Sequence, residues 1–482
     1  MHRTIKAFLI ATTLLQPASV WAETPSEAGA KKIEKAMKTY GPRVLYKPGL
    51  LRVNPDGDVY RVIFDMAELI EDAVAPMTIK EAPPRVFELN ARPDGIWDYN
   101  SSGPFKLTTE YLAADRSANL SVVTDSGVIT GVFDPAIIFP RQADIGFTNG
   151  VATLQDARDK LKFGIKDANL SSSVKDLPDG HGNVEATFSM KDVTATHGTF
   201  PQPEVKISAA RIDGSYTLGK LDLAGLAAVL SFWQVKAPGQ DFAALSYIQR
   251  EDLKALFAKH APVIDEIGGT VVATDLATSE GGKGFNLERL EYHSRWEGLG
   301  ARGALVMGAH ITNLGIDPGI WPNGIEAILP KEAALNVKVS GFDMGALWKD
   351  LGQLRTKNEN ALLPRDHYSK ILLPNGTVTI DITDSFARSR FYDVTLSGQV
   401  QLIRGERERA TAQFTVTARD LDGTVKYLQD NAAGAPIFGR FALMAMMMRG
   451  FGKSRQDGTM VWEVRFDDDG KVTVNGQPLP MK

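Results

Sequence analysis

The chain has 482 residues, of which 54 are basic and 58 acidic, so its formal net charge is −4, and it contains no cysteine. The mildly negative charge argues against nucleic acid or an anionic membrane surface as the main partner, and the lack of cysteine excludes disulfides, thiolate metal sites and a thiol nucleophile. A chain of this length favours about two to four packing units, each able to bury a core.

Residues 1–22 have the pattern of a secretory signal peptide. Arg3 and Lys6 supply a positive start, residues 7–15 are apolar, and small residues lead up to Ala22. The apolar stretch is too short to span a membrane, and no later segment reaches the roughly 20 apolar residues that a spanning helix needs. We therefore predict cleavage after Ala22, export to the periplasm and no transmembrane segment in the mature chain.

The first predicted helix lies in TPSEAGAKKIEKAMKTYGP, which starts at Thr24. We expect Thr24 to cap this helix and Pro25 to take its first position. Apolar residues then recur at helical spacing, at Ala30, Ile33, Met37 and Tyr40. The spacing predicts a short amphipathic helix with one face to bury, which the following Gly-Pro dipeptide ends.

A turn signature recurs along the rest of the chain, in which Asp or Asn precedes Gly and usually follows Pro. It starts at Asn54, Arg92, Leu177, Trp321 and Leu373, with relatives at Arg211 and Asp467. Proline presets φ for the first turn position, and Asp-Gly or Asn-Gly accepts the positive φ that closes a reversal. Each signature is therefore predicted to mark a hairpin, and the flanking segments alternate polar and apolar residues as strands do. A mainly antiparallel meander follows, without a βαβ rhythm.

Four aspartates precede segments with helical apolar spacing, at Asp65, Asp222, Asp343 and Asp420. An aspartate in this position accepts hydrogen bonds from the first free N–H groups of a helix, so each is predicted to cap one. Their unequal spacing excludes a solenoid or propeller. Further helices are predicted in residues 241–262 and near the C-terminus.

These patterns predict an α+β protein of extended, curled antiparallel β-sheet meanders with helices packed on one face. Beyond the signal peptide, a β-rich half with the leading amphipathic helix would span residues 23–219, and a helix-plus-sheet half residues 220–482. The sequence leaves open whether the two halves are duplicates and whether they are separate domains or share one sheet.

Catalytic signatures are missing from the sequence. The seven histidines are at least sixteen residues apart, and neither a nucleophile elbow nor a phosphate loop is present. The contiguous acids of Asp467 to Asp469 do not have the alternate spacing of a calcium loop, and a turn is the better interpretation. We therefore predict no catalytic residues, no metal site and no cofactor. Paired carboxylates of a hydrolase would leave no local motif, so that alternative stays open.

The strongest functional candidate is the predicted helix in residues 437–451, IFGRFALMAMMMRGF, which has apolar side chains in nearly every helical direction. Such a helix is either a core helix buried on most sides or one that lies against something apolar that is not protein. Methionine is flexible and polarisable, which suits contacts with acyl chains or a partner's groove. The predicted hydrophobic ligand-binding residues are Phe438, Phe441, Leu443, Met444, Met446, Met447 and Met448.

Several stretches together resemble a known family. GDVYRVIFDMAELI from Gly57, GIWDYNSSGPFKL from Gly95, GVFDPAI from Gly131 and the ending MVWEVRFDDDGKVTVNGQPL from Met460 resemble the alphaproteobacterial exported family catalogued as domain of unknown function 2125. The final VNGQPL is also similar to the tail of envelope proteins of the YdgA kind. The resemblance assigns no catalytic residues. A general likeness to AsmA-type envelope proteins implies long twisted sheets and a link to lipids or outer-membrane maintenance.

Export, a long meander, missing catalytic motifs and the methionine-rich helix together indicate a function. We predict a non-enzymatic envelope protein that binds a lipid or another hydrophobic ligand in a groove between sheet and helices. One alternative is a structural or scaffolding protein that binds envelope protein partners. A third is an envelope-polymer hydrolase, which convergence of His197, His293 or His310 with acids in a cleft would favour.

Overall fold

A computed structural model describes most of the chain. The described residues are 24–40, 47–67, 77–93, 95–113, 116–134, 140–177, 180–199, 204–237, 240, 242–317, 319–321, 324–355, 363–364, 366–404, 409–433 and 436–479. The predicted signal peptide lies outside them. The structure is mostly antiparallel β-sheet, with 58% of residues in strands and 21% in seven helices, all within these ranges. The predicted β-rich antiparallel fold is therefore confirmed.

The chain divides into two compact units that are discontinuous in sequence. The first comprises Met1–Lys206, Arg211–Asp265 and Trp348–Leu363, and the second Ile207–Ala210, Glu266–Leu347 and Pro364–Lys482. The boundary predicted near residue 219 stays a prediction.

The first unit contains three α-helices and ten strands. The tenth strand belongs to it except for Ile207–Ala210, which are part of the second unit. The strands are β1 Leu51–Asp56, β2 Val59–Phe64, β3 Met77–Glu81, β4 Arg85–Ala91, β5 Trp97–Ala113, β6 Arg116–Phe133, β7 Pro140–Gln155, β8 Asp159–Asp176, β9 His181–Thr199 and β10 Val205–Asp222. The helices are α1 Glu27–Tyr40, α2 Leu223–Ser231 and α3 Tyr247–His260, with a π-helix at Phe232–Lys236 and a 3-10 turn at Phe242–Ala244. Strands pair in the order β1-β2-β4-β5-β6-β7-β8-β9-β10, and β3 pairs with β5.

The second unit contains eleven strands and the remaining helices. The strands are β11 Glu266–Glu280, β12 Lys283–Glu297, β13 Arg302–Ile316, β14 Glu332–Asp343, β15 Thr377–Arg388, β16 Asp393–Ile403, β17 Arg409–Arg419, β18 Lys453–Ser454, β19 Met460–Phe466, β20 Val472–Val474 and β21 Gln477–Pro478. The helices are α4 Met344–Leu351, of which the first four residues belong to this unit, α5 His367–Leu372, α6 Leu421–Asp430 and α7 Pro436–Phe451, with a 3-10 turn at Ile325–Ala327. Strands β11 to β17 pair in sequence order, followed by β19, β20 and β21, and β18 pairs with β19.

Helix α1 forms where the apolar spacing predicts it, but it starts later. The helix begins at Glu27, and the Ser26 side chain accepts a hydrogen bond from the Gly29 N–H at 3.1 Å, so Ser26 caps it instead of Thr24. Three residues of α1 are almost completely buried in the largest core cluster of the first unit, which also contains Leu50, Tyr60 and Trp97; they are Ala30, Ile33 and Met37.

The four predicted caps have different outcomes. Asp222 caps α2 through a 2.7 Å hydrogen bond from the Gly225 N–H, and Asp343 accepts from the Ala346 N–H at 2.8 Å at the start of α4. Asp65 accepts from the Ala67 N–H at 3.1 Å, but its predicted helix continues outside the described residues. Asp420 precedes α6 with φ of 56° and its side chain makes no capping hydrogen bond, so that prediction was wrong.

The turn signatures are hairpins only where strands flank both sides. Those at Asn54 and Arg92 join β1 to β2 and β4 to β5, and the one at Asp467 joins β19 to β20. The one at Leu177 lies between β8 and β9, partly outside the described residues. The signature at Leu373 instead links α5 to β15, and the one at Trp321 lies in a long connection that includes a 3-10 turn.

The signature at Arg211 was also misread, because it lies inside β10. The ring of Phe188 on β9 occupies the space that a Cβ on Gly214 would need. The glycine is therefore explained by close approach of a neighbouring aromatic side chain and not by a turn.

Left-handed residues recur inside alternate strands, a feature that the sequence reasoning missed. Lys220 in β10, with φ of 49°, has the same conformation but does not fit the alternation. The others are all Asn or Asp with φ between 46° and 51°: Asn149 in β7, Asp192 in β9, Asp275 in β11, Asn313 in β13 and Asp384 in β15. Regular pairing skips these positions. Asn and Asp tolerate this conformation better than other residues with a side chain, and such bulges bend a strand and increase its twist.

Candidate functional site

Helix α7 packs one side against a small core cluster of the second unit. Phe438 and Ala442, one turn apart, are 0% and 2% exposed. They join Leu428 of α6 and Ile325 of the nearby 3-10 turn, with Ile328 packed against the group. Residues four apart lie on one helix face, so this pair defines the inner side of α7.

Aromatic side chains pack next to this cluster. The rings of Tyr427 and Phe391 stack with centroids 4.3 Å apart, and Tyr427 also lies 6.4 Å from Phe438. The Tyr427 hydroxyl donates to the Gly324 carbonyl at 2.8 Å, and the Tyr392 hydroxyl donates to the Ile328 carbonyl at 2.9 Å. Burial raises the pKa of Tyr392. The polar tips of these rings are thus satisfied, which ties α6 and the 3-10 turn together.

The C-terminal end of α7 is held by two side chains from the neighbouring β-structure. The Trp462 indole N–H donates to the Met448 carbonyl at 2.7 Å. The Asn475 amide donates to the Phe451 carbonyl at 2.7 Å, and the Phe451 ring packs against the cluster around Trp462. Helix ends leave carbonyls without intrahelical partners, and these two donors satisfy them. Helix α7 is therefore fixed along its inner side and at its end.

The outer side of α7 exposes apolar side chains. Leu443, Met444 and Met447 are 55%, 56% and 55% exposed. Together with Arg440 they occupy positions i, i+3, i+4 and i+7, which form one stripe along a helix. We call Arg440, Leu443, Met444 and Met447 the outer stripe.

The remaining predicted ligand-binding residues flank this stripe. Phe441, Met446 and Met448 are also exposed, and the Gln429 amide approaches the Met446 sulfur at 3.4 Å. Phe438 is the exception, because it lies beneath the surface in the core cluster. The interpretation of α7 as a plain core helix was wrong, since the described structure leaves six of the seven predicted residues exposed. Whether they bind a ligand stays a prediction.

The segment around α7 is basic. Residues 431–456 contain Arg440, Arg449, Lys453 and Arg455 and no acidic residue. Arg449 pairs with Asp422 of α6 at 2.8 Å, whereas Arg440 and Lys453 form no ion pair with any residue that the structure describes. None of the described helices has the length and apolar character needed to cross a membrane.

Two histidines lie against carboxylates: His260, and His310, which was a candidate for catalysis. His260 of α3 lies 2.7 Å from the Asp222 carboxylate. Burial would raise the pKa of Asp222, but hydrogen bonds from the Gly225 N–H and from His260 and the charge of His181 outweigh it, so the pKa is lowered. His310 lies 3.0 Å from Glu332 on the adjacent strand, and Glu332 also pairs with Arg388 at 3.3 Å.

The other two candidate histidines for catalysis lie within strands. His197 is in β9, and His293 in β12 lies beside Gly308 and Asn336. Within the described residues, no group of three His, Asp or Glu side chains could hold a metal ion. The predicted turn at the C-terminal aspartates is confirmed by hydrogen bonds from the Asp467 N–H to the Lys471 carbonyl, 2.9 Å, and from the Gly470 N–H to the Asp467 carbonyl, 3.0 Å.

Sequence reasoning found α7 but missed the residues that hold it. Tyr427, Trp462 and Asn475 are distant in sequence from the side chains and carbonyls that they contact, and no spacing rule links them to α7. The basic character of the segment around α7 could have been found in the sequence, because none of the 26 residues between Asp430 and Asp457 is acidic.

Comparison with known proteins identifies no relative of the chain. No protein-family model matches the chain, and neither curated proteins nor solved structures contain a match. The resemblance to the exported family stays a prediction.

Proposed function

We propose that this is an exported envelope protein that binds a lipid or another hydrophobic ligand without catalysing a reaction, and that α7 supplies the contact. The observation that carries the proposal is a helix fixed along its inner side and at its end that still exposes Leu443, Met444 and Met447. Fixed apolar side chains in water are a cost unless a ligand or partner covers them.

The energetic scale suits a reversible contact. Complete burial of one such side chain contributes about 1.5–3 kcal/mol, and these three are roughly half exposed. Covering the outer stripe and its flanks therefore supplies several kcal/mol before the entropic costs of association. Methionine side chains adjust to irregular apolar surfaces, which suits acyl chains of varied shape.

The wider architecture belongs to the same proposal. Extended sheets that curl at the left-handed Asn and Asp residues, with helices on one face, would present α7 beside a concave surface, which is the groove predicted from the sequence. The recurrence of these residues in alternate strands of both units supports a duplication. Export is supported by residues 1–22, which have the composition of a signal peptide.

Native mass spectrometry and lipid extraction of the exported protein test this function. A variant with Leu443→Gln, Met444→Gln and Met447→Gln keeps helix propensity while removing the apolar surface. A matched control replaces Leu335 and Leu402, exposed leucines on β14 and β16, by threonine. We expect lipid to copurify with the wild type and the control and to be lost from the glutamine variant. Equal lipid content in all three, or none in the wild type, would contradict the proposal, and a copurifying protein in place of lipid would favour a scaffolding role.

A further inference from the structure

We propose that α7 binds the surface of an anionic lipid bilayer and lies in the plane of the interface. This inference rests on the proposed function and names its ligand as an assembled bilayer, not a single extracted lipid. It depends on the geometry of the outer stripe and on the basic charge around α7, which favours an anionic bilayer and disfavours a second copy of the chain.

The geometry suits shallow insertion. A helix of 16 residues is about 24 Å long. Interfacial helices bury an apolar face roughly 5–10 Å into the boundary between headgroups and acyl chains. Leu443, Met444 and Met447 point to that side together, and the flanking Phe441 and Met448 widen the surface. Arg440 in the same stripe can extend its guanidinium to the headgroups while its stem lies along the apolar surface.

The local charge selects an anionic surface. Arg440 and Lys453 are exposed and form no ion pair with another described residue. Of the acids on elements that pack against α7, Asp422 is paired with Arg449, Asp430 lies 3.5 Å from Lys426, and Glu326 accepts a hydrogen bond from the Gly324 N–H at 3.0 Å. The net charge of the whole chain predicts repulsion from such a membrane, but charges are screened beyond about 10 Å at ordinary ionic strength. The basic segment at the contact therefore outweighs acids elsewhere.

The same charge disfavours a second copy of the chain as the occupant. Face-to-face packing of two α7 helices would bring together two copies of a basic segment in which Arg440 and Lys453 form no ion pair with another described residue, whereas Arg449 is already paired with Asp422 of α6. Like charges brought together at an interface oppose association. An anionic bilayer instead supplies both the apolar interior and the negative headgroups that this surface lacks.

The experiment uses the mature chain and vesicles of phosphatidylcholine with or without 30% phosphatidylglycerol, read out by flotation. Because the chain has no cysteine, Leu443→Cys labelled with a polarity-sensitive dye reports insertion, and Leu335→Cys serves as the labelled control. We expect binding to anionic vesicles only, weakened by salt, with a blue shift from position 443 and none from position 335.

The variants separate the two forces. Arg440→Gln and Lys453→Gln should each weaken vesicle binding about fivefold, whereas Lys338→Gln on β14 should leave it unchanged. The triple glutamine variant of the outer stripe should weaken binding at least about tenfold.

Several outcomes would overturn the inference. Equal binding to neutral vesicles without salt dependence would do so, as would concentration-dependent dimerisation lost in the triple variant. If lipid still copurifies through the outer stripe but vesicles do not bind, the bilayer inference fails and the proposed function stands. If the wild type neither copurifies with lipid nor binds vesicles, both the proposed function and the bilayer inference are contradicted.

Discussion

Helices α1 and α7 are of similar length and use their apolar residues in opposite ways. Helix α1 is rich in lysine, yet Ala30, Ile33 and Met37 are each at most 1% exposed. Helix α7 is almost entirely apolar, yet it buries only Phe438 and Ala442. The more polar helix, α1, therefore has more buried apolar side chains than α7.

The difference shows that composition does not determine burial. A narrow apolar stripe is fully covered in α1 because a large cluster around Leu50, Tyr60 and Trp97 lies beneath it. Beneath α7 the cluster is small, so most of its apolar surface has no partner in the described structure. An excess of apolar surface on a fixed helix is what makes α7, and not α1, the functional candidate.

The largest expected effect comes from the inner side of α7. Phe438→Ala should lower the free energy of unfolding by about 3–5 kcal/mol, because it removes a completely buried ring and leaves a cavity. Phe441→Ala, on the exposed flank, should cost less than about 1 kcal/mol. Urea denaturation followed by circular dichroism measures both. Equal losses would mean that the two sides of α7 do not differ.

The corresponding change in α1 should be nearly as large. Ile33→Ala should cost about 2–4 kcal/mol, because Ile33 is 0% exposed beneath the lysine-rich surface. Lys31→Ala, on the exposed side, serves as the control and should stay within about 0.5 kcal/mol of the wild type. A small loss in Ile33→Ala would show that α1 does not contribute to the core as its burial indicates.

Substitutions at the first residues of helices should have smaller effects on the free energy of unfolding. Asp222→Ala should cost about 1–2 kcal/mol, because it removes the cap of α2 and the partner of His260. Asp420→Ala, which removes no side-chain cap of α6, should cost less.

The effect of Asp222 should depend on pH. Its pKa is lowered in the folded state, so its contribution is complete above its ordinary value near 4 and is lost as the pH falls through the lower folded pKa. The difference between wild type and Asp222→Ala should therefore shrink below about pH 4. A difference that grows on acidification would contradict the assigned direction.

The smallest effect on stability is expected at the outer stripe. The triple variant Leu443→Gln, Met444→Gln and Met447→Gln should change the free energy of unfolding by no more than about 1.5 kcal/mol in total, since a surface substitution usually changes it by no more than about 0.5 kcal/mol. Calorimetry without lipid measures this change. A loss comparable to that of Phe438→Ala would place the outer stripe in a core and remove the basis of the functional proposal.

Features that depend on local chemistry could be predicted from the amino-acid sequence alone. Alternation of polar and apolar residues identified the antiparallel strands, and the helices predicted within residues 241–262 and 437–451 are present as α3 and α7. The turns at Asn54, Arg92 and Asp467 followed from the φ preferences of Asp-Gly. These features are predictable because a residue's backbone preference and its immediate neighbours are sufficient to produce them.

Features that depend on a residue distant in sequence could be seen only in the folded chain. Gly214 lies within a strand because the Phe188 ring lies over it, although its local sequence is that of a turn. In α7, apolar residues in every direction define no preferred side, so periodicity could not indicate which would face inward. The contacts of Phe438 with Leu428 and Ile325, and the hydrogen bonds from Trp462 and Asn475, select that side. They leave Leu443, Met444 and Met447 exposed because the packing partners cover one side only.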